Sequence, residues 1–156
     1  MKPGGWIELQ YIDYHPLSLL PDNGEDNIII QFWKRVNEGL SSLGIDHSLS
    51  AEGSLRKLVG EAGFQNAEEQ ARNIPIGRWV KDDQLKLAGS FCAKILLDGA
   101  EAISNVPLMN GLGWGTESVQ TLTATVRQTL QDPATLNKHQ LYFPFRVVYA
   151  QKPLGP

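Results

Sequence analysis

The chain has 156 residues, 42% hydrophobic and 20% charged, a balance that suits one folded domain with its own core and argues against disorder. A net charge of −3 and a pI near 5.6 give no general attraction to nucleic acid or anionic membrane, and no basic run interleaved with aromatics stands out. No apolar stretch approaches the roughly 18 residues that span a bilayer, and the start Met-Lys-Pro-Gly-Gly is unlike a secretory signal. The expectation is a single cytoplasmic domain over 1–156, with no nucleic-acid and no membrane partner.

In chain order, W-I-E-L-Q-Y-I (6–12) alternates as a strand after the Gly4-Gly5 turn. Residues 13–24 read as a loop punctuated by Pro16, Pro21 and Gly24. Asp26 is placed to cap a helix to about Leu43, with Ile29, Ile30, Phe32, Trp33, Val36 and Leu40 at helical spacing and Gly44 as its stop. A second helix starts at about Ser50 or Glu52 and runs through Ala62, closed by Gly63. Residues 64–76 read as a strand, and Asp82 or Asp83 opens a longer helix to about Ala102. Gly89 and Gly99 interrupt that helical pattern, each costing about 1 kcal/mol relative to Ala. G-L-G-W (111–114) reads as a connector, 116–131 as a helix stopped by Pro133, and L-Y-F-P-F-R-V-V-Y-A (141–150) as the last strand. Pro144 there suits an edge, a bulge or a strand start better than a fully paired centre. Three strands separated by helices make the fold class α/β, with few strands for a free-standing sheet.

The lone Cys92 lies in an apolar helical stretch and reads as a core residue. None of the three histidines is spaced with Cys, Asp or Glu like a metal site, so no metal is expected. Ser54, Ser90 and Ser104 lack any nucleophile-elbow context.

Five signatures occur in order: K-P-G-G-W-I-E-L-Q (2–10), L-V-G-E-A-G-F (58–64), P-I-G-R-W-V-K-D (75–82), L-G-W (112–114) and P-F-R-V-V-Y-A-Q-K-P (144–153). Together they resemble the C-terminal half of class I methyltransferases of the fungal LaeA-like type, across nearly the whole chain. The resemblance implies a truncated, Rossmann-like methyltransferase fold keeping strands five, six and seven, the last antiparallel, with a helical insertion. It places the N-terminal half outside this chain: the glycine loop after strand one and the acidic residue ending strand two, which hold S-adenosylmethionine. No glycine-rich cofactor loop is read in their place, so no cofactor is expected. A fifth strand without its neighbour leaves an unpaired edge, which leads to the expectation of a homodimer with 6–12 near its two-fold axis.

The candidate acids follow from position. Glu8, inside the first strand, would serve as a general acid if desolvated, and Asp13 and His15 follow the strand end that borders active sites in doubly wound folds. Turn chemistry is the competing reading of Asp13 to Pro16. His139 precedes the last strand, where the family often has a histidine. Trp33, Trp79, Trp114 and Tyr142, with Phe32, are candidates for an aromatic pocket around a small hydrophobic substrate, with Arg78 and Lys81 holding a phenolate or carboxylate. His47 reads as an exposed loop residue.

The resulting expectation is a methyltransferase-like enzyme of fungal secondary metabolism that works without the methyl donor. It would cyclise or isomerise a polyketide-derived aromatic by acid/base chemistry, for example by adding a hydroxyl to an alkene. A methyltransferase subunit completed by a partner and a non-catalytic interaction module remain as alternatives.

Overall fold

A computed structural model describes residues 1–21, 26–45 and 51–155. The expected turn at Gly24, the position of His47 and a helix start at Ser50 lie outside the described residues. The elements are β1 (Trp6–Ile12), β2 (Leu17–Ser18), α1 (Ile28–Ser42), α2 (Ser54–Glu61), β3 (Gln65–Pro75), α3 (Asp83–Asn105), α4 (Thr116–Gln131), α5 (Pro133–Lys138) and β4 (Leu141–Gln151). A π-helical turn, Val106–Gly111, continues α3.

The last strand occupies the middle of the sheet. β4 pairs antiparallel with β1 along one edge, from Trp6 opposite Gln151 to Ile12 opposite Phe145, and β2 resumes that row with Leu17 opposite Tyr142. On its other edge β4 pairs antiparallel with β3, from Gln65 opposite Gln151 to Pro75 opposite Tyr142. This mixed α/β fold, with its last strand antiparallel to both neighbours, agrees with the methyltransferase-like arrangement that the motifs imply. Pro144 sits inside the central strand, against the simplest expectation. Its carbonyl accepts from the Asp13 N–H at 2.8 Å, so its missing N–H faces the break between β1 and β2, where no ladder bond is lost.

The main core gathers at one end of this sheet. Ile29, Phe32, Trp33 and Val36 of α1, spaced i, i+3, i+4 and i+7, meet Leu96 and Ala100 of α3, Val126 and Leu130 of α4, and Leu141 and Phe143 of β4. A smaller cluster lies at the other end, where Val59 of α2 packs on Val148 and Ala150, with Ile7, Tyr11, Leu55, Phe64 and Ala67 around them.

Several boundaries differ from expectation for local reasons. Asn27, not Asp26, caps α1, its side chain accepting from the Ile29 N–H at 2.9 Å. Pro133 does not only stop α4: it is the first residue of α5, with Asp132 as the cap, a position where a missing N–H costs nothing. α3 runs unbroken through both glycines. Gly89 belongs there because a Cβ would lie 1.9 Å from the Gly77 carbonyl oxygen. In return the Gly77 N–H donates to the Gly89 carbonyl at 3.0 Å, locking α3 to the end of β3. At Gly99 a Cβ would meet only the end of Ile103, at 3.2 Å.

Candidate active site at the carboxyl end of the first strand

β1 ends at Ile12, and the loop that follows carries Asp13 and His15. The Asp13 carboxylate accepts from His15 twice, from the backbone N–H at 3.2 Å and from the ring Nδ1 at 2.7 Å. The Asp13 side chain is 13% exposed and that of His15 49%, so the carboxylate is held while the ring reaches solvent. A hydrogen bond from Nδ1–H to the carboxylate fixes the orientation and tautomer of the ring. The turn-forming and acid/base readings of this loop are therefore compatible, since one carboxylate orders both backbone and ring.

His15 and Pro16 form one side of an open cleft of about 430 Å³; Ile30, Lys34, Asn37, Glu38 and Ser41 of α1 form the other. The Asn37 amide donates to the Tyr14 carbonyl at 2.9 Å and ties the loop to the helix. Tyr14 stacks on Trp33 with ring centroids 4.9 Å apart, anchoring the loop to the core below it. Sequence reading missed the helix side of the cleft. Lys34, Asn37, Glu38 and Ser41 follow i, i+3, i+4 and i+7, the polar stripe of an amphipathic helix, which is ordinarily just solvated.

The other candidates do not converge on this cleft. Glu8 is exposed on β1 and accepts from the Gln10 amide at 2.5 Å, so the desolvation that would fit it for general acid work is absent. His139 lines a separate cleft of about 290 Å³ with Asp26, Asn27, Ile28, Thr125, Thr129 and Thr135. Its carbonyl accepts from the Ser18 hydroxyl at 2.7 Å.

The aromatic pocket is corrected by the packing. Trp33 is buried in the core, edge-on to Phe32 and Phe143, and its indole N–H has no hydrogen-bond partner among the described residues. Trp79 is half-buried, its indole N–H donating to the Leu141 carbonyl at 2.9 Å. Trp114 lies half-buried in the connector, and Tyr142 half-buried on β4 opposite Pro75 and Leu17. Arg78 is exposed and donates to the Ser90 hydroxyl at 3.2 Å, and Lys81 is exposed. None of these six lines the His15 cleft or the His139 cleft.

A second polar site was also missed by sequence reading. Arg146 of β4 reaches Glu69 of β3 at 3.2 Å and Glu52 at 3.7 Å, and Glu69 also accepts from the Gly53 N–H, at 3.1 Å, ahead of α2. The side chains of Arg146 and Glu69 are only 11% and 9% exposed. The tyrosine hydroxyl of Tyr11 is held above its ordinary pKa by burial and then by Glu69, with Arg146 opposing. An alternating arginine in an otherwise apolar strand is the signal that was available. One guanidinium shared by two carboxylates makes it a clamp between the sheet and the segment ahead of α2.

The fit to S-adenosylmethionine can be tested on the glycines. Read with Gly115, the connector spells G-x-G-x-G (111–115), a match that the connector reading passed over. The loop follows a helix rather than a strand, and a Cβ at Gly111 would lie 2.3 Å from the Gly39 carbonyl oxygen. Gly111 therefore serves the packing of the π-helical turn against α1, not the approach of a ligand. The described residues thus do not form the family's cofactor cradle. They also contain no group of three His, Cys, Asp or Glu placed to hold a metal, and no helix long and apolar enough to cross a membrane.

No family model matches the chain. Methyltransferase pytC of Aspergillus terreus is 33% identical over 98% of the chain, which covers 45% of that protein. Probable methyltransferase tdiE of Emericella nidulans is 29% identical over 100% of the chain and 47% of its own length. Secondary metabolism regulator laeA of Aspergillus fumigatus is 22% identical over 99% of the chain and 40% of its own length. The chain spans about half the length of the curated relatives it matches.

Proposed function

The chain is a homologue of the LaeA-like fungal methyltransferases over about half their length, and we propose that it is a small-molecule enzyme of secondary metabolism acting without a methyl donor. The reading places a small, largely apolar substrate in the cleft between the β1 loop and α1, with the His15–Asp13 pair as its acid/base. The observation that carries it is the 2.7 Å bond from Asp13 to His15 Nδ1 at the mouth of that cleft.

The step that suits the pair is the intramolecular addition of a hydroxyl to an alkene conjugated with a carbonyl. The His15 imidazole removes the hydroxyl proton as the new C–O bond forms, and the alkene electrons move onto the carbonyl oxygen as an enolate. Lys34, facing the same cleft, stabilises that charge. The imidazolium then returns its proton to the enolate carbon, so the product is an isomer of the substrate and no co-reactant is consumed. Asp13 stabilises the transient imidazolium, and the cleft walls hold the folded conformer.

A second reading is favoured by one observation: the relatives above are named methyltransferases. In it the chain is the acceptor side of a methyltransferase and needs a cofactor-binding half supplied by another polypeptide or by further sequence. Calorimetric titration of the 156-residue chain with S-adenosylmethionine separates the two. The first reading expects no heat of binding, and saturable binding at the purified chain supports the second.

A further inference from the structure

We propose that two copies of this chain join through the free edge of β1, antiparallel about Leu9, so that β3-β4-β1 of each copy becomes half of one continuous sheet. The inference does not rest on the reaction assigned above.

The direction of each β1 backbone group follows from two bonds. Lys152 N–H donates to the Gly5 carbonyl and Asp13 N–H to the Pro144 carbonyl, both at 2.8 Å and both within the same register. Bonded and non-bonded pairs alternate in an antiparallel ladder. Ile7, Leu9 and Tyr11 therefore bond β4, while the N–H and C=O groups of Trp6, Glu8, Gln10 and Ile12 point away from it. Among the described residues nothing pairs that edge. Trp6 is 55% and Leu9 37% exposed, and Glu8 and Gln10 are exposed between them. Within Trp6–Ile12 there is no lysine, no proline and no bulge, and Glu8 is the one charged side chain that guards the edge.

The side chains select a second copy as the occupant, in one register. Centring the pair on residue 8 sets Glu8 against Glu8, a like-charge contact that disfavours pairing. Centring it on residue 10 sets Glu8 against Ile12 and carries Trp6 past the partner strand. Centring on Leu9 pairs all seven residues, with Glu8 opposite the second copy's Gln10 and Trp6 opposite its Ile12. The carboxylate–amide match is the one already made within the chain, where Gln10 donates to Glu8 at 2.5 Å. It occurs twice by symmetry, as an isologous contact requires. On the opposite face Ile7 meets the second copy's Tyr11, extending the small cluster in which both residues pack. A contact one strand pair wide is small beside the about 1,600 Å² of a standard interface, so assembly falls off on dilution.

Sedimentation equilibrium of the 156-residue chain at tens of micromolar should give twice its 17.3 kDa. Gln10→Glu, which sets carboxylates against each other across the pair, should weaken the dimer about tenfold. Gln10→Lys should strengthen it in low salt, with circular dichroism unchanged in both. Leu9→Cys in a Cys92→Ala background should form a disulfide-linked dimer under mild oxidation, because the two residues face each other on the axis as a non-bonded pair. A monomeric wild type overturns the proposal, as does a dimer indifferent to both Gln10 charges. So does cross-linking through Phe91→Cys on the exposed α3 face instead of Leu9→Cys. A wild-type chain that binds the separately made N-terminal half of pytC in place of itself also overturns it, assigning the edge to a methyltransferase half.

Discussion

The two ends of the sheet are built to different rules. At the end where β4 begins, Leu141 and Phe143 lie under α1, α3, α4 and α5, and backbones approach so closely that Gly39, Gly89 and Gly111 cannot carry a Cβ without displacing backbone. At the end where β4 finishes, Tyr149 is flanked by Trp6, Glu8 and Glu68, of which the last accepts from its hydroxyl, and the neighbouring β1 edge is bare. The first end holds the fold and the second presents surface. The candidate acid/base pair sits on a loop tied to the packed end by Asn37 and Trp33, and its cleft opens against α1.

Substitutions at the two ends should therefore differ sharply. Phe143→Ala empties the packed end and should cost about 4 kcal/mol in denaturant unfolding. Gly89→Ala should cost about 3 kcal/mol, since the new methyl meets a carbonyl oxygen at 1.9 Å and must push α3 off the end of β3. Gly99→Ala on the same helix should be neutral or stabilising by up to about 1 kcal/mol; equal losses at both glycines would contradict the close-packing account. Trp6→Ala, at the open end, should change unfolding of the dilute chain by less than about 1 kcal/mol.

The smallest expected effect is a pH dependence at the packed end. Burial pushes the Cys92 thiol up to about 11 from 9.0. Between about pH 9 and about 11 the folded chain keeps a proton that the unfolded chain has released, so stability falls as pH rises through that window. Cys92→Ala should lose this part of the decline, read as a smaller shift of the urea midpoint between the two pH values. An identical decline in both proteins would remove the thiol as its cause.

Much of the packed end was legible in the chain because periodicity reports burial. β1 and α4 fall where alternation and helical spacing put them, and Gly44 and Gly63 end their segments at positive φ. Sequence could not tell Gly89, which a carbonyl demands, from Gly99, which nothing demands, since close approach depends on an element 12 residues away in the chain at Gly77. Aromatic spacing was read as a pocket at Trp33, where the helix in fact turns that ring into the core. At the candidate site, Asp13 and His15 were legible from their place after a strand. Lys34, Asn37 and Glu38 were not, because a polar helix stripe acquires meaning only when a loop folds against it. The Arg146–Glu69 clamp joins two strands distant in sequence and left only an odd arginine as its trace.

The central claim is that the loop after β1 carries an isomerising acid/base site, and the mass of the accumulated metabolite tests it most directly. In the native host, deleting the gene and profiling metabolites by mass spectrometry should reveal a compound isomeric with the lost product. Wild-type chain should restore the product and His15→Ala should not, although that variant folds. A lost product heavier than the accumulated compound by one methyl group, or full restoration by His15→Ala, would contradict the account.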